Sequence, residues 1–278
     1  MLSPPRRLVK NPLSLPTAAC PAPALALDFE REQATRRWLD LDMAAAGEVQ
    51  RTFLPPLEQR WRGVEIAAEY RPAHQVGGDF FDVATRPEGR LTAIVGDVAG
   101  KGVSAALVMA RVSSEFRRFA AAGLRPRGIL EGVNRWLDQQ DLCDKFVTAV
   151  CVELDLRWGL WIVASAGHPA ALLRRTDGTL EELGGVGGPA LGLGGVAAWR
   201  CEEESEMAEA GDTLLLMTDG LSDGLDLGEL AAVACGRTPT LEDFRRDLFA
   251  RVERGPRRDD ATWLGLRLER LGFSAGTC

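Results

Sequence analysis

Five aspartates of the 278-residue chain lie where an apolar stretch meets a loop. Asp97 follows the run LTAIVG, Asp219 follows TLLLMT, and Asp79 follows two glycines. The pair Asp259 and Asp260 comes directly before ATWLGLRL. Carboxylates gathered at one edge of a sheet would repel each other, and a pair of divalent cations would relieve that repulsion. Oxygen-only ligation favours Mg²⁺ or Mn²⁺ over zinc.

The same aspartates have a simpler interpretation. An Asp-Gly pair often makes a turn, because the carboxylate hydrogen-bonds nearby backbone and Asp tolerates unusual backbone angles. Taken singly, each site is explained as a turn. The four strand-end contexts taken together favour a metal site, since the neighbouring glycines also let the backbone approach a ligand closely.

Two motifs that would indicate a covalent nucleophile do not fit their surroundings. Residues 220–224 (GLSDG) match the GxSxG elbow, but that hydrolase needs a histidine after its serine, and His74 and His168 both precede it. Cys151 and Arg157 have the spacing of a cysteine phosphatase loop. The intervening VELDL alternates like a strand and carries two acids that would repel phosphate. Neither motif therefore supports a nucleophilic Ser or Cys.

Composition excludes several classes of function. With 33 Lys and Arg against 40 Asp and Glu, the net charge of −7 does not suit a general nucleic-acid binder. Only two histidines occur, which excludes a multi-histidine zinc site. Six scattered cysteines without a CxxC pair favour reduced thiols in a cytoplasmic protein. No apolar run approaches the ~20 residues of a membrane span.

The N-terminal part divides into a tail and a helix. Residues 1–27 are rich in proline, which interrupts any signal-peptide core, and we expect a disordered tail. Residues 28–56 predict an amphipathic helix that ends at two prolines. Its apolar stripe consists of Trp38, Leu41, Ala45, Val49 and Phe53. This helix either docks on its own domain or serves dimerisation or signal transmission.

The rest of the chain predicts groups of strands separated by helices, without strict alternation. Strands are predicted at 64–70, 80–83, 91–96, 146–154, 160–165, 170–174, 213–218 and 261–268. Helices are predicted at 103–122, 126–140 and 240–254. This order favours antiparallel sheets covered by helices, the α+β class.

Six motifs occur in the order found in SpoIIE/RsbU-like serine phosphatases, which are bacterial members of the metal-dependent type 2C protein phosphatase superfamily. They are VGGDFFD (76–82), GDVAGKG (96–102), KFVT (145–148), AGHP (166–169), TDG (218–220) and RDDAT (258–262). In addition, GEVQRTFLP (47–55) resembles the helix that leads into that domain. The resemblance covers about residues 45–268.

This resemblance implies a four-layer α-β-β-α sandwich of two antiparallel sheets flanked by helices, formed by residues 57–270. It also implies two Mn²⁺ or Mg²⁺ ions at one edge. By motif position, the implied catalytic ligands are the carboxylates of Asp79, Asp97, Asp219 and Asp259 and the carbonyl of Val98. Asp260 would be the neighbour that supports Asp259, with a one-residue ambiguity between the two as to which binds metal directly.

The chain departs from the family pattern near the third aspartate. Asp223 stands where many relatives have Glu, and Leu227-Gly228 replaces the usual Phe-Gly, so the following loop is expected to be remodelled. No equivalent is assigned for the arginine that holds substrate phosphate in eukaryotic relatives, and the substrate-binding residues stay unknown. Lys101 is a candidate, although a solvated residue at the start of a helix explains it better.

His168 needs a separate interpretation. A histidine could act as the general acid that protonates the serine leaving group. The context Gly167-His168-Pro169 is typical of a turn that leaves a strand. A packing or hydrogen-bonding role fits at least as well, and we do not assign His168 to catalysis.

The implied activity is hydrolysis of phosphoserine or phosphothreonine in a protein by a water activated between two metal ions. The resemblance suggests a phosphorylated STAS-domain anti-sigma-factor antagonist as the substrate, in bacterial signalling in the cytoplasm. Two alternatives stay open. One is a non-catalytic signalling module of the same fold, and the other is a metal-dependent phosphatase of small molecules. An upstream regulator or a second copy could bind residues 28–56.

Overall fold

The computed structural model describes residues 22–140, 142, 145–193, 195, 197–222, 240–252 and 259–270. The chain divides into two compact units, residues 1–42 and 43–278. Of the first unit, the described part is the beginning of one helix, α1, which spans Ala22–Arg51. None of the helices among the described residues combines the length and apolar character that crossing a bilayer requires.

Eleven strands and four further helices follow α1 in the described part of the chain. The strands are β1 Glu58–Trp61, β2 Val64–Arg71, β3 Phe80–Arg86, β4 Arg90–Val98, β5 Val147–Asp155, β6 Leu160–Ala166, β7 Ala171–Arg174, β8 Leu180–Leu183, β9 Glu203–Met207, β10 Thr213–Met217 and β11 Ala261–Leu268. The helices are α2 Val103–Ala121, α3 Pro126–Asp138, α4 Asp219–Ser222 and α5 Leu241–Val252.

The strands form two antiparallel sheets. The six-stranded sheet has the order β1-β2-β11-β10-β7-β8, and the five-stranded sheet has the order β3-β4-β5-β6-β9. A central apolar core between them takes buried residues from both, among them Ile66, Phe81, Trp161 and Leu264. This arrangement confirms the α+β sandwich expected from the sequence.

Helices cover the outer face of each sheet. Met109 and Phe116 of α2 and Ile129 of α3 pack on the five-stranded sheet. Phe244 of α5 stacks on Trp263 of the six-stranded sheet, with ring centroids 5.8 Å apart. The layers therefore run helix, sheet, sheet, helix, as predicted.

Several elements differ from the sequence-based expectation. Helix α1 begins at Ala22 rather than near residue 28. Pro23 is compatible with this earlier start because it falls in the first turn, where the missing amide hydrogen is tolerated. Strands β1, β8 and β9 and the short helix α4 were not predicted. β8 (LEEL) and β9 (EESEM) are short and acidic, so their composition does not favour a strand. Residues 1–21, Asp223 and Leu227-Gly228 lie outside the described residues.

Antiparallel pairing brings the ends of four strands to one edge. Within the five-stranded sheet, Phe80 at the start of β3 pairs with Gly96 near the end of β4. Within the six-stranded sheet, Met217 at the end of β10 pairs with Trp263 near the start of β11. The aspartates that flank these four strand ends therefore approach each other from both sheets.

The central core predicts a large loss of stability when it is truncated. Leu264→Ala removes a fully buried side chain between the sheets and should lower the free energy of unfolding by about 2–5 kcal/mol. Leu107→Ala, at a residue that is 67% exposed, should change it by less than about 0.5 kcal/mol. Urea unfolding of the two variants measures the difference, and equal midpoints would contradict the layer assignment.

Candidate active site

A buried carboxylate links the two sheets at this edge. Asp79, which directly precedes β3, is 1% exposed. Its Oδ2 accepts hydrogen bonds from Thr218 Oγ1 at 2.8 Å and from Thr262 Oγ1 at 2.7 Å. The Thr262 amide donates in turn to Thr218 Oγ1 at 3.0 Å. Two hydroxyls of the six-stranded sheet thus hold, in a single orientation, a carboxylate that precedes a strand of the five-stranded sheet.

The loop before Asp79 is closely packed against other candidate ligands. The Gly78 amide donates to Asp260 Oδ2 at 2.8 Å, and the Ala73 amide donates to Asp260 Oδ1 at 2.7 Å. A Cβ at Gly77 would collide with the Asp260 carboxylate, and one at Gly78 would lie 2.6 Å from the Val98 carbonyl oxygen. Glycine is required at both positions because the backbone and the carboxylates occupy the space of a side chain.

Asp259 lies at the outer side of the site. Its Oδ1 accepts hydrogen bonds from Lys101 Nζ at 2.8 Å and from the Asp260 amide at 3.1 Å. Both side chains of the ion pair are about half exposed. Lys101 is therefore partly solvated, as the sequence suggested, but it also contacts a candidate ligand.

The electrostatics show that the aspartates converge. Burial, and then the charges of Asp219, Asp259 and Asp260, raise the pKa of Asp97 to about 7, while a hydrogen bond with Asp79 acts in the opposite direction. Burial and the charge of Asp97 raise the pKa of Asp79 well above its ordinary value. The structure thus brings together the five carboxylates that the sequence singled out.

The donor set fits hard divalent cations. It consists of carboxylates and the carbonyl of Val98, whose amide donates to the Gly78 carbonyl at 3.3 Å. Besides burial, repulsion by the neighbouring carboxylates raises the pKa of Asp97, and a bound cation relieves repulsion of this kind. In the described part of the chain, no three His, Cys, Asp or Glu side chains are already arranged to hold a metal ion.

His168 is placed for packing rather than for proton transfer. Its side chain is buried, with Nδ1 2.9 Å from Thr148 Oγ1, and burial lowers its pKa to about 3. The ring is therefore neutral near pH 7 and is a poor proton donor to a leaving group. His74 lies exposed in the loop before Gly77.

Three residues that contact the site were not assigned from the sequence. Thr218 and Thr262 belong to the TDG and RDDAT motifs and hold Asp79, and Gln50 binds the backbone of Gly77. Both threonines lie within two residues of a candidate ligand in the sequence, and this position is the signal that could have identified them. Gln50 has no such signal, because it is 27 residues away from its partner in the sequence.

Comparison with known proteins places these observations in a family. Residues 87–269 match the family model described as Stage II sporulation protein E (SpoIIE). Phosphoserine phosphatase RsbU of Bacillus subtilis (strain 168) is 27% identical over 183 residues, which cover 66% of this chain and 53% of that protein. The chain spans about half the length of the curated relatives that it matches.

Solved structures agree with the sequence match. The SiaA-PP2C domain of Pseudomonas aeruginosa superposes with a TM-score of 0.70 at 25% identity, covering 84% of this chain and 98% of that one. The structure of the RsbU and RsbW domains of a Mycobacterium tuberculosis protein gives a TM-score of 0.66 at 29% identity, covering 77% and 65%. The fold, the ordered motifs and the match to the family model lead to one conclusion: the chain belongs to the SpoIIE family of type 2C-like phosphatases.

Proposed function

We propose that this chain is a metal-dependent protein serine/threonine phosphatase. The observation that carries the proposal is the placement of five carboxylates from two sheets at one edge, around the Gly77-Gly78 loop. Burial, together with the charges of Asp219, Asp259 and Asp260, raises the pKa of Asp97 to about 7. Such a concentration of negative charge suits cation binding and disfavours direct binding of a phosphate. The naming of the relative RsbU as a phosphoserine phosphatase supports the same reaction.

In the proposed reaction, the residues of the chain bind and orient the two metal ions. Asp79, Asp97, Asp219, Asp259 and the Val98 carbonyl would be the ligands of two Mn²⁺ or Mg²⁺ ions, with Asp260 supporting the loop at Gly78. When bound, these ions would supply Lewis-acid charge and a water of lowered pKa for in-line attack on phosphorus.

The hydrogen bonds at the site suit this role. Thr218 and Thr262 both donate to one oxygen of Asp79, which leaves the other oxygen directed away from these hydroxyls. Hydrogen bonds from the hydroxyls also favour the ionised form that a ligand needs. The proposal needs no protein nucleophile and assigns no proton transfer to the neutral His168.

The proposed substrate is a phosphorylated STAS-domain anti-sigma-factor antagonist in the cytoplasm. The support comes from the resemblance to RsbU and from the solved relative that contains RsbU and RsbW domains.

Three substrates separate this proposal from the alternatives: p-nitrophenyl phosphate, a phosphoserine peptide and a phosphorylated STAS protein. Activity on the first alone would indicate a small-molecule phosphatase, and no activity on any of them with Mn²⁺ would indicate a non-catalytic module.

We also propose that residues 28–56 bind a second copy of the chain. Apolar side chains of α1 are exposed in this segment, with Trp38 at 63%, Leu41 at 72% and Val49 at 56%. A stripe of this kind gains stability when a second helix covers it.

The metal ligands give the first prediction for this proposal. Asp97→Asn and Asp219→Asn should each lower kcat on a phosphoserine peptide at least ~100-fold, since a loss of several kcal/mol of metal-derived stabilisation is expected. Asp177→Asn, at an exposed turn, is the matched control and should keep the rate of the unaltered protein. Undiminished kcat of the Asp97 variant in saturating Mn²⁺ would refute the ligand assignment.

Charge repulsion gives a second prediction, on stability. Without metal, Asp97→Asn should melt a few degrees higher than the unaltered protein, because it removes one of the mutually repelling carboxylates. Mn²⁺ should raise the melting temperature of the unaltered protein more than that of the variant. Thermal unfolding in EDTA and in Mn²⁺ measures both effects, and a metal shift of the same size in the two proteins would contradict the proposed site.

The helix stripe gives a third prediction. The double variant Trp38→Glu, Leu41→Glu should have the mass of one chain in multi-angle light scattering, whereas the unaltered protein should have the mass of two. Arg37→Glu introduces the same side chain next to the stripe and should leave the dimer intact. Equal masses for the unaltered protein and the double variant would rule out dimerisation through this stripe.

A further inference from the structure

Gln50, near the end of α1, binds the glycine loop of the site through both ends of its side-chain amide. Its Nε2 donates to the Gly77 carbonyl at 2.6 Å, and the Gly77 amide donates to its Oε1 at 3.1 Å. The Tyr70 hydroxyl donates to the same Oε1 at 3.3 Å. Gln50 is 4% exposed, so these hydrogen bonds form away from solvent.

The partners of Gln50 indicate what its side chain does. A buried amide is costly unless its donor and acceptor are satisfied. The side-chain hydrogen bonds described for Gln50 reach Gly77 and Tyr70, both outside its own helix. Burial, followed by the charges of Asp260 and Asp79, raises the pKa of Tyr70, which keeps its hydroxyl protonated as a donor. The favourable energy of this network therefore depends on the conformation of the loop.

The loop held by Gln50 contacts three candidate ligands within two residues. Gly78 binds the Asp260 carboxylate through its amide and receives the Val98 amide at its carbonyl. The next residue is Asp79 itself. A shift of Gly77 would consequently be transmitted to Asp79 and to Asp260.

The helix backbone also lies directly against this loop. Gly47 is three residues before Gln50 and so lies on the same face of α1. A Cβ at Gly47 would collide with the carbonyl oxygen of Gln75. Gly47 and Gln50 both belong to the unit formed by residues 43–278.

We propose that Gln50 is a positioning residue of the candidate metal site, which fixes the Gly77-Gly78 loop so that Asp79 and Asp260 face Asp97. This inference rests on the proposed function, because it concerns the affinity for the divalent ions. Some residues hydrogen-bond to metal ligands without contacting the ion. Replacing such a residue typically lowers the metal affinity about 10–100-fold.

The test uses the full chain and two variants that disturb the contact in different ways. Gln50→Leu removes the amide at similar volume, and Gly47→Ala pushes the helix away from the loop. Gln59→Leu is the matched control, because the Gln59 amide makes a local 3.5 Å contact with the Pro56 carbonyl. Mn²⁺ binding is measured by electron paramagnetic resonance of the free ion, and the Mn²⁺ dependence of p-nitrophenyl phosphate hydrolysis is measured alongside.

Both test variants should bind Mn²⁺ at least about tenfold more weakly, while kcat at saturating Mn²⁺ changes less than about threefold. The control Gln59→Leu should match the unaltered protein in both Mn²⁺ affinity and kcat. If Gln50→Leu lowers the melting temperature but keeps the Mn²⁺ affinity, Gln50 is merely structural and the inference is overturned.

Amide hydrogen exchange separates this inference from the proposed function. Exchange at Gly77 and Gly78 should be faster in Gln50→Leu than in the unaltered protein, and unchanged exchange overturns the inference. If the unaltered protein binds Mn²⁺ but hydrolyses no substrate, the proposed function fails, while the Mn²⁺ affinities of the variants still decide the role of Gln50. If the unaltered protein binds no Mn²⁺, both are overturned.

Discussion

The structure of this edge depends on the burial of negative charge between two sheets. Asp79 accepts hydrogen bonds from Thr218, which follows β10, and from Thr262, which lies in β11 of the other sheet, so the carboxylate is part of the contact between layers. Burial, and then the charges of Asp219, Asp259 and Asp260, raise the pKa of its neighbour Asp97. A protein optimised for stability alone would not concentrate like charges here, and their presence is the physical reason to look for a function at this edge.

Much of the architecture is contained in local sequence patterns. Strands such as 91–96 and 261–268 are apolar runs bounded by glycine or charge, and their predicted positions agree with β4 and β11 within two residues. The convergence of Asp79, Asp97, Asp219 and the final pair follows once antiparallel pairing is assumed, because each aspartate is at a strand end. Metal binding by these residues stays a prediction.

Sequence patterns could not predict which distant residues contact each other. The pairing of Gln50 with Gly77 and of Thr262 with Asp79 joins segments 27 and 183 residues apart, and a periodicity cannot indicate such partners. The acidic strand β9 was missed for a different reason. Its composition disfavours a strand, and it forms one because its backbone pairs with β6 at the edge of the sheet.

The acidic composition of β9 also has a consequence for association between chains. An edge strand offers unpaired backbone groups to any other strand, and natural proteins often protect such edges with charge. Glu203, Glu204 and Glu206 line this edge of the five-stranded sheet. A second copy that tried to extend the sheet here would bring like charges together, so near neutral pH this border resists growth into a continuous β-structure.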